Sequence, residues 1–197
     1  MVGSNWDEVR SAVAERTDCV LANLHADWGT TRTADPFEFG PRSFDPERPP
    51  ASVEAQLERI AGIASVILFY TPECEETVLV YNPGGFWEPP GGVIERAQTP
   101  ENAARAEARE ETGLEVELTD LRYTGRIEFQ YASGASVPLP LAQFVGHRVD
   151  GSLEVEREGS DHPGVTRATG LFDAATLPEG TREHDEIRDL LADSSTR

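Results

Sequence analysis

Lysine is absent from this sequence. All 17 basic residues are arginine, and they stand against 36 acidic residues, a formal net charge of −19. Such a balance argues against a nucleic-acid polymer as partner, because a phosphate backbone asks for a basic footprint. A small phosphorylated molecule stays open, since a bound metal ion supplies positive charge locally. Dense acidity without lysine is expected of a halophilic protein, in which salt screens self-repulsion; a GC-rich codon bias would produce the same shift to arginine. Cysteine is also scarce. Cys19 and Cys74 lie far apart with no CxxC spacing, which suggests neither a zinc site nor a disulfide framework, only two buried or incidental thiols. No apolar run is long enough to span a bilayer, and the opening MVGSNWDEVR lacks the basic-then-apolar plan of a signal peptide. The expectation is a soluble, cytoplasmic chain with no membrane partner.

The chain divides on paper into an extension, residues 1–60, and a domain, residues 61–197. In the extension Trp6, Val9 and Val13 mark a helix from Asn5 to about Arg16. His25 to Pro50 reads as irregular, interrupted by Pro36, Pro41, Pro46, Pro49 and Pro50. Its aromatics Trp28, Phe37, Phe39 and Phe44 call for ordered packing on the domain or on a second subunit, which leaves a homodimer open. A second helix is predicted from a Ser52 cap to about Ala61. Strands are predicted at Ile63–Tyr70 and Thr77–Tyr81, with a turn at Asn82-Pro83-Gly84-Gly85. Leu121, Tyr123, Ile127, Phe129 and Tyr131 alternate with polar residues as a half-buried strand, followed by a partner strand from Val137 to about His147. Leu171-Phe172 suits a last strand, and His184–Leu191 a closing amphipathic helix. Strands, one central helix, more strands and a final helix describe an α+β domain around a mixed sheet.

Everything else is organised around Gly91 to Leu114, GGVIERAQTPENAARAEAREETGL. It reads as a glycine-rich turn, then a helix with Thr99 as cap and Pro100 at its first position, closed by Gly113. At about 100° per residue, Glu107, Glu110 and Glu111 share one face. Ala104 and Ala108 lie beside them, small enough for close packing on a sheet, while Arg105 and Arg109 point away. Three like charges on one stripe repel, so either a hard divalent cation or bulk water must hold them; magnesium suits a site where the substrate adds phosphate oxygens. The three are expected to converge on an open cleft.

This stretch resembles the Nudix box, which runs Gly, five residues, Glu, seven residues, Arg-Glu-apolar-x-Glu-Glu-x-Gly-apolar. Gly92 starts it and Glu107-Ala108-Arg109-Glu110-Glu111-Thr112-Gly113-Leu114 ends it in register. The lead-in Trp87-Glu88-Pro89-Pro90-Gly91-Gly92 is similar to the W-x-x-P-G-G often found before that box. Two positions depart: Gln98 stands where the family has its first Glu, and Ala106 where it has its Arg. Losing one member of such a pair would strand a charge, whereas losing both strands none, so the double change reads as a co-adjusted variant.

The resemblance implies the Nudix fold, an α/β/α sandwich around a mixed sheet. It also implies a metal-dependent hydrolase that cleaves the diphosphate linkage of a nucleoside diphosphate derivative such as ADP-ribose, using Mg²⁺ or Mn²⁺. Glu107 and Glu110 are then the catalytic candidates; Glu107, Glu110, Glu111 and Gly91 are the metal candidates; Trp87, Gly92 and Arg126 are the substrate-binding candidates. Glu154, Glu156, Glu158 and Asp161 are further candidates for the base, each also explained as part of a solvated loop. His25, His147, His162 and His184 share no spacing and read as surface or core residues. Tyr131 fits the core better than a substrate contact. The alternative is a Nudix-fold nucleotide-binding or regulatory module, its chemistry lost with the Glu and Arg that Gln98 and Ala106 replace.

Overall fold

The computed structural model describes residues 4–40, 48–82, 84–153 and 168–194. Its elements run α1 (Ser4–Trp28), β1 (Arg32–Thr33), β2 (Phe37–Phe39), α2 (Val53–Arg59), β3 (Gly62–Phe69), β4 (Thr77–Tyr81), β5 (Trp87–Glu88), β6 (Gly91–Ile94), α3 (Pro100–Thr112), β7 (Leu114–Gln130), β8 (Ser136–Gly151), β9 (Ala168–Phe172) and α4 (His184–Ser194). The strand order is β1-β7-β8-β3-β4-β5, with β2 on β7, β6 on β3 and β9 on β4. The sheet is mixed: β1 and β2 run parallel to β7, whereas β3, β5 and β9 run antiparallel to β4. This is the α+β class that the alternation of elements predicts.

Two compact units make up the chain, and strands β3, β6, β7 and β8 contribute residues to each. The first comprises residues 1–64, 93–100 and 121–143. Its core gathers Trp6, Val9 and Val13 of α1 with Ile60, Tyr123, Ile127, Phe129, Tyr131, Val137, Leu139 and Leu141. Tyr131 is 2% exposed, lies edge-on to Trp6 and to Phe129, and donates its hydroxyl proton to Gln56 Oε1. A buried phenol needs such a partner, and the fully buried Gln56 supplies it. The core role expected of Tyr131 is what the structure has.

Helix α1 runs twelve residues beyond the expected Arg16, to Trp28. The stripe of Trp6, Val9 and Val13 continues through Thr17 to Leu24, both buried, and no glycine or proline interrupts it before Gly29. Thr17 hides the continuation from a hydrophobic count; its hydroxyl donates to Pro138 O at 3.0 Å. The stretch expected to be irregular carries β1 and β2, whose partner is β7, in register Arg32↔Tyr123 and Phe37↔Ile127. Strands of two and three residues are too short to show a period, and only β7 gives their backbone groups partners. Pro41, Phe44 and Pro46 lie outside the described residues. Ser52 caps α2 as expected, accepting from Ala55 N at 3.2 Å.

The second unit comprises residues 65–92, 101–120 and 144–197. Ile67, Phe69, Leu79, Leu177, Ile187 and Leu191 form its core, with Trp87 and Phe172 packed against them. Strand β4 has the predicted bounds, and α4 extends the predicted closing helix by three residues to Ser194. Strand β7 starts at Leu114 rather than Leu121, since the buried alternation of Leu114, Val116 and Leu118 precedes the stretch read as a strand. Likewise β8 runs on to Gly151. Cys19 is exposed and Cys74 half-buried, so neither is the buried thiol considered from sequence.

Candidate active site

Helix α3 has the predicted bounds, Pro100 to Thr112, and Gly113 comes next with φ +77°, the left-handed conformation that glycine adopts without strain. Ala103, Ala104 and Ala108 are fully buried, so this face packs closely because its side chains are small. The opposite face carries Arg105 and Arg109, both exposed, and Arg109 pairs with Glu115 at 3.2 Å. On the helix the cations therefore look away from the carboxylates, as the 3.6-residue period requires.

The glycines before the helix are a strand rather than a turn: Gly91–Ile94 is β6. Gly91 N donates to Glu111 Oε2 at 2.9 Å. A Cβ built on Gly92 would fall 2.5 Å from Glu107 Oε1 and 2.7 Å from Oε2, so Glu107 occupies the space that any other residue at 92 would fill. The box glycines and the box carboxylates, many residues apart in sequence, meet here. Glu107 and Glu111 are half-buried and Glu110 is exposed.

The three carboxylates are nevertheless not drawn together: among the described residues no group of three or more His, Cys, Asp or Glu side chains is close enough to hold a metal ion. This differs from the expected convergence. Glu111 accepts from a backbone amide, and Glu107 lies against a glycine. The donor set still fits a hard divalent cation in kind, being carboxylate and backbone oxygen with no soft ligand, and the glycines leave room for close approach.

Glu88 is a residue that sequence reasoning passed over. It receives a hydrogen bond from Asn82 Nδ2 and an ion pair from Arg182 Nη1 at 3.4 Å. Burial holds its carboxyl above the usual range, outweighing the opposing effects of Arg182 and Asn82. Its place in the lead-in to the box was the one available signal. Trp87 packs against Phe172 (ring centroids 4.9 Å) and Tyr81 (5.2 Å), so it serves the aromatic wall of the second unit while staying half-buried. Arg126 belongs to the first unit, where it is ion-paired with Asp18.

Gln98 closes the turn before the helix reciprocally: Glu95 N donates to its side-chain oxygen at 3.0 Å, and its own N–H donates to Glu95 O at 3.0 Å. Ala106 is half-buried on α3. Among the histidines, His25 contacts Thr124 Oγ1 at 2.8 Å, His147 lies 3.7 Å from Glu117, and His184 lies 3.1 Å from Asp185. His162 and the base candidates Glu154, Glu156, Glu158 and Asp161 lie outside the described residues. A shallow depression at the start of α4, bordered by Glu179, Glu183 and Glu186, shares no residue with the box.

A strand of glycines set against carboxylates on the next helix, within a mixed sheet, defines a fold built around a Nudix box. The NUDIX domain family matches residues 63–191, well over half of the chain, and the chain belongs to that family. A curated relative, an octanoyltransferase from Myxococcus xanthus, is 33% identical over 122 residues, which cover 60% of this chain and 32% of that protein. The chain thus spans about a third of that relative's length. Similar solved structures include an ADP-ribose pyrophosphatase from Streptococcus suis, at 18% identity and TM-score 0.44 over 68% of this chain and 91% of that one. A NUDIX family hydrolase from Clostridium perfringens aligns at 16% identity and TM-score 0.47 over 68% of this chain and 95% of that one. No helix among the described residues is long and apolar enough to cross a membrane.

Proposed function

We propose that this chain is a metal-dependent pyrophosphohydrolase acting on a small nucleoside diphosphate derivative of the ADP-ribose kind. The observation that carries this reading is the meeting of the box glycines with the box carboxylates, Gly91 N on Glu111 and Gly92 against Glu107. Glu107, Glu110 and Glu111, with the backbone of Gly91, are the groups to hold Mg²⁺ or Mn²⁺. When bound, such an ion neutralises diphosphate oxygens and lowers the pKa of an attacking water. Glu107 and Glu110 supply the negative charge that retains the cation and can take up a proton. Gly92 lets the Glu107 carboxylate lie against the strand, because it carries no side chain. The exposed part of Trp87 offers a surface for the nucleoside. Arg126 is a weaker candidate for substrate binding, since its guanidinium is already engaged by Asp18.

The second reading, a nucleotide-binding module with weak or no catalysis, is favoured by the turn that Gln98 makes with Glu95 and by the separation of the three carboxylates. One experiment decides between them: a hydrolysis screen over nucleoside diphosphate compounds with Mg²⁺ or Mn²⁺ in molar KCl, run beside equilibrium binding of the same compounds. Turnover that is lost on chelation supports the enzyme; binding without turnover supports the module.

A further inference from the structure

We infer that Glu88 and Arg182 form a strap that sets the position of Gly91 relative to helix α3, which makes Glu88 a positioning residue of the site. The inference rests on the hydrolase reading above for its consequence, but not for its geometry. Arg182 is fastened to β5 and the residue before it three times over. Its backbone N–H donates to Trp87 O at 2.9 Å, its guanidinium pairs with Glu88 Oε2 at 3.4 Å, and the same group lies 5.0 Å from the centre of the Phe86 ring. Asn82 holds the other carboxylate oxygen of Glu88 and closes its own turn through Asn82 N to Phe86 O at 2.9 Å. The short strand β5 is therefore gripped from the turn before it and from the segment leading into α4.

The two residues after Glu88 transmit that grip. Pro89 and Pro90 are both buried, and a proline fixes its own φ while narrowing the choices of the residue before it. Pro90 O also accepts from Val66 N at 3.0 Å. The next residue is Gly91, whose N–H meets Glu111. Between Glu88 and that amide there is little torsional freedom, so an error at Glu88 is carried to the amide end of the hydrogen bond. The side chain of Glu88 is only 17% exposed, and a carboxylate held so far from water gains little stability from its ion pair. Geometry, rather than stability, is what the arrangement supplies.

The test uses the full chain and reads two things: amide hydrogen exchange at Gly91 by NMR, and Mn²⁺ affinity by calorimetry. Glu88→Gln keeps an acceptor for Asn82 and removes the charge that Arg182 seeks; Arg182→Ala removes the strap from the other side; Arg182→Lys is the conservative control. Both disruptive variants are expected to speed exchange at Gly91 several-fold while leaving the β4 core amide of Leu79 unchanged. They are also expected to weaken Mn²⁺ binding about tenfold, the low end of outer-shell substitutions at metal sites, and Arg182→Lys to recover most of both. Exchange at Gly91 unchanged in both variants would overturn the strap. Should either variant fail to fold, the other decides. If the wild type binds no Mn²⁺, the hydrolase reading falls, and the exchange rates still decide whether Glu88 positions Gly91.

Discussion

In the first unit, charges meet charges: Arg10 reaches Glu128 at 3.4 Å, Arg96 reaches Glu58 at 2.7 Å, and Arg126 reaches Asp18. In the second, the helix that carries the box turns Arg105 and Arg109 away from Glu107, Glu110 and Glu111, and Arg109 goes to Glu115 instead. The first arrangement is that of a solvated scaffold, in which each exposed pair contributes at most about 1 kcal/mol. The second keeps a row of carboxylates on a helix whose own two arginines face the other way. A chain with so large an acidic excess gains no stability from turning those cations aside. If the stripe holds a cation, as proposed, that ion supplies the positive charge that the helix's own arginines do not.

Substitutions that exchange the two roles should give the largest effects. Glu107→Gln is expected to lower kcat by more than the roughly 10–100-fold typical of outer-shell changes at metal sites, because it alters a proposed ligand itself. Gly92→Ala should do comparable damage, as its Cβ would collide with the Glu107 carboxylate. Arg126→Ala, by contrast, should cost under about 1 kcal/mol of stability and leave KM unchanged. A rise in KM for Arg126→Ala would return that residue to the substrate site and break the contrast between the units.

Next in size is a change inside the first unit's core. Tyr131→Phe leaves the fully buried Gln56 without the hydroxyl that it accepts from, which should cost about 1–3 kcal/mol in denaturant unfolding with little change in kcat. A large loss of turnover at unchanged stability would make Tyr131 a functional residue after all.

The variant box gives an effect of similar or smaller size. Gln98→Glu and Ala106→Arg should each leave Mg²⁺ affinity and rate no better, the first by adding a negative charge without its partner and the second by competing with the metal for Glu107. Together they should recover more than the sum, with a coupling of about 0.5–3 kcal/mol in a double-mutant cycle. Strict additivity would sink the idea that the two positions changed together.

The smallest effects concern the medium. Melting temperature should rise from dilute to molar KCl, because screening relieves repulsion; a flat or falling curve would leave codon bias as the account of the missing lysine. Acid should act through Glu88. Its folded pKa stands above the ordinary 4.5, so the folded chain holds that proton more tightly than the unfolded chain. The contribution is fully present below about 4.5 and is lost as pH rises through the folded value. The melting temperature of the wild type minus that of Glu88→Gln should therefore be larger at pH 4 than at pH 7.

The box was legible because its signals are local and strong. Pro100 and Gly113 bound a helix by backbone chemistry alone, and helical period places Glu107, Glu110 and Glu111 on one face whatever surrounds them. The alternation of Leu121 through Tyr131 likewise announced a strand. Helix α1 beyond Arg16 was not legible, because its stripe passes through Thr17, a polar residue whose hydroxyl donates to the distant Pro138 O. The strands β1 and β2 were hidden for a related reason: two or three residues have no period, and their hydrogen bonds belong to β7.

By itself, then, the sequence determined the family box, the carboxylate stripe and the α+β order of elements, all of which come from propensity and period along the chain. Tertiary structure alone decided that Glu111 sits on the Gly91 amide, that Glu107 fills the space beside Gly92, and that Glu88 is gripped by Asn82 and Arg182. Those contacts join residues up to 94 positions apart, and their energies depend on burial and on which donors come within about 3 Å. Neither quantity is written in the local pattern, because both are set only when distant segments pack.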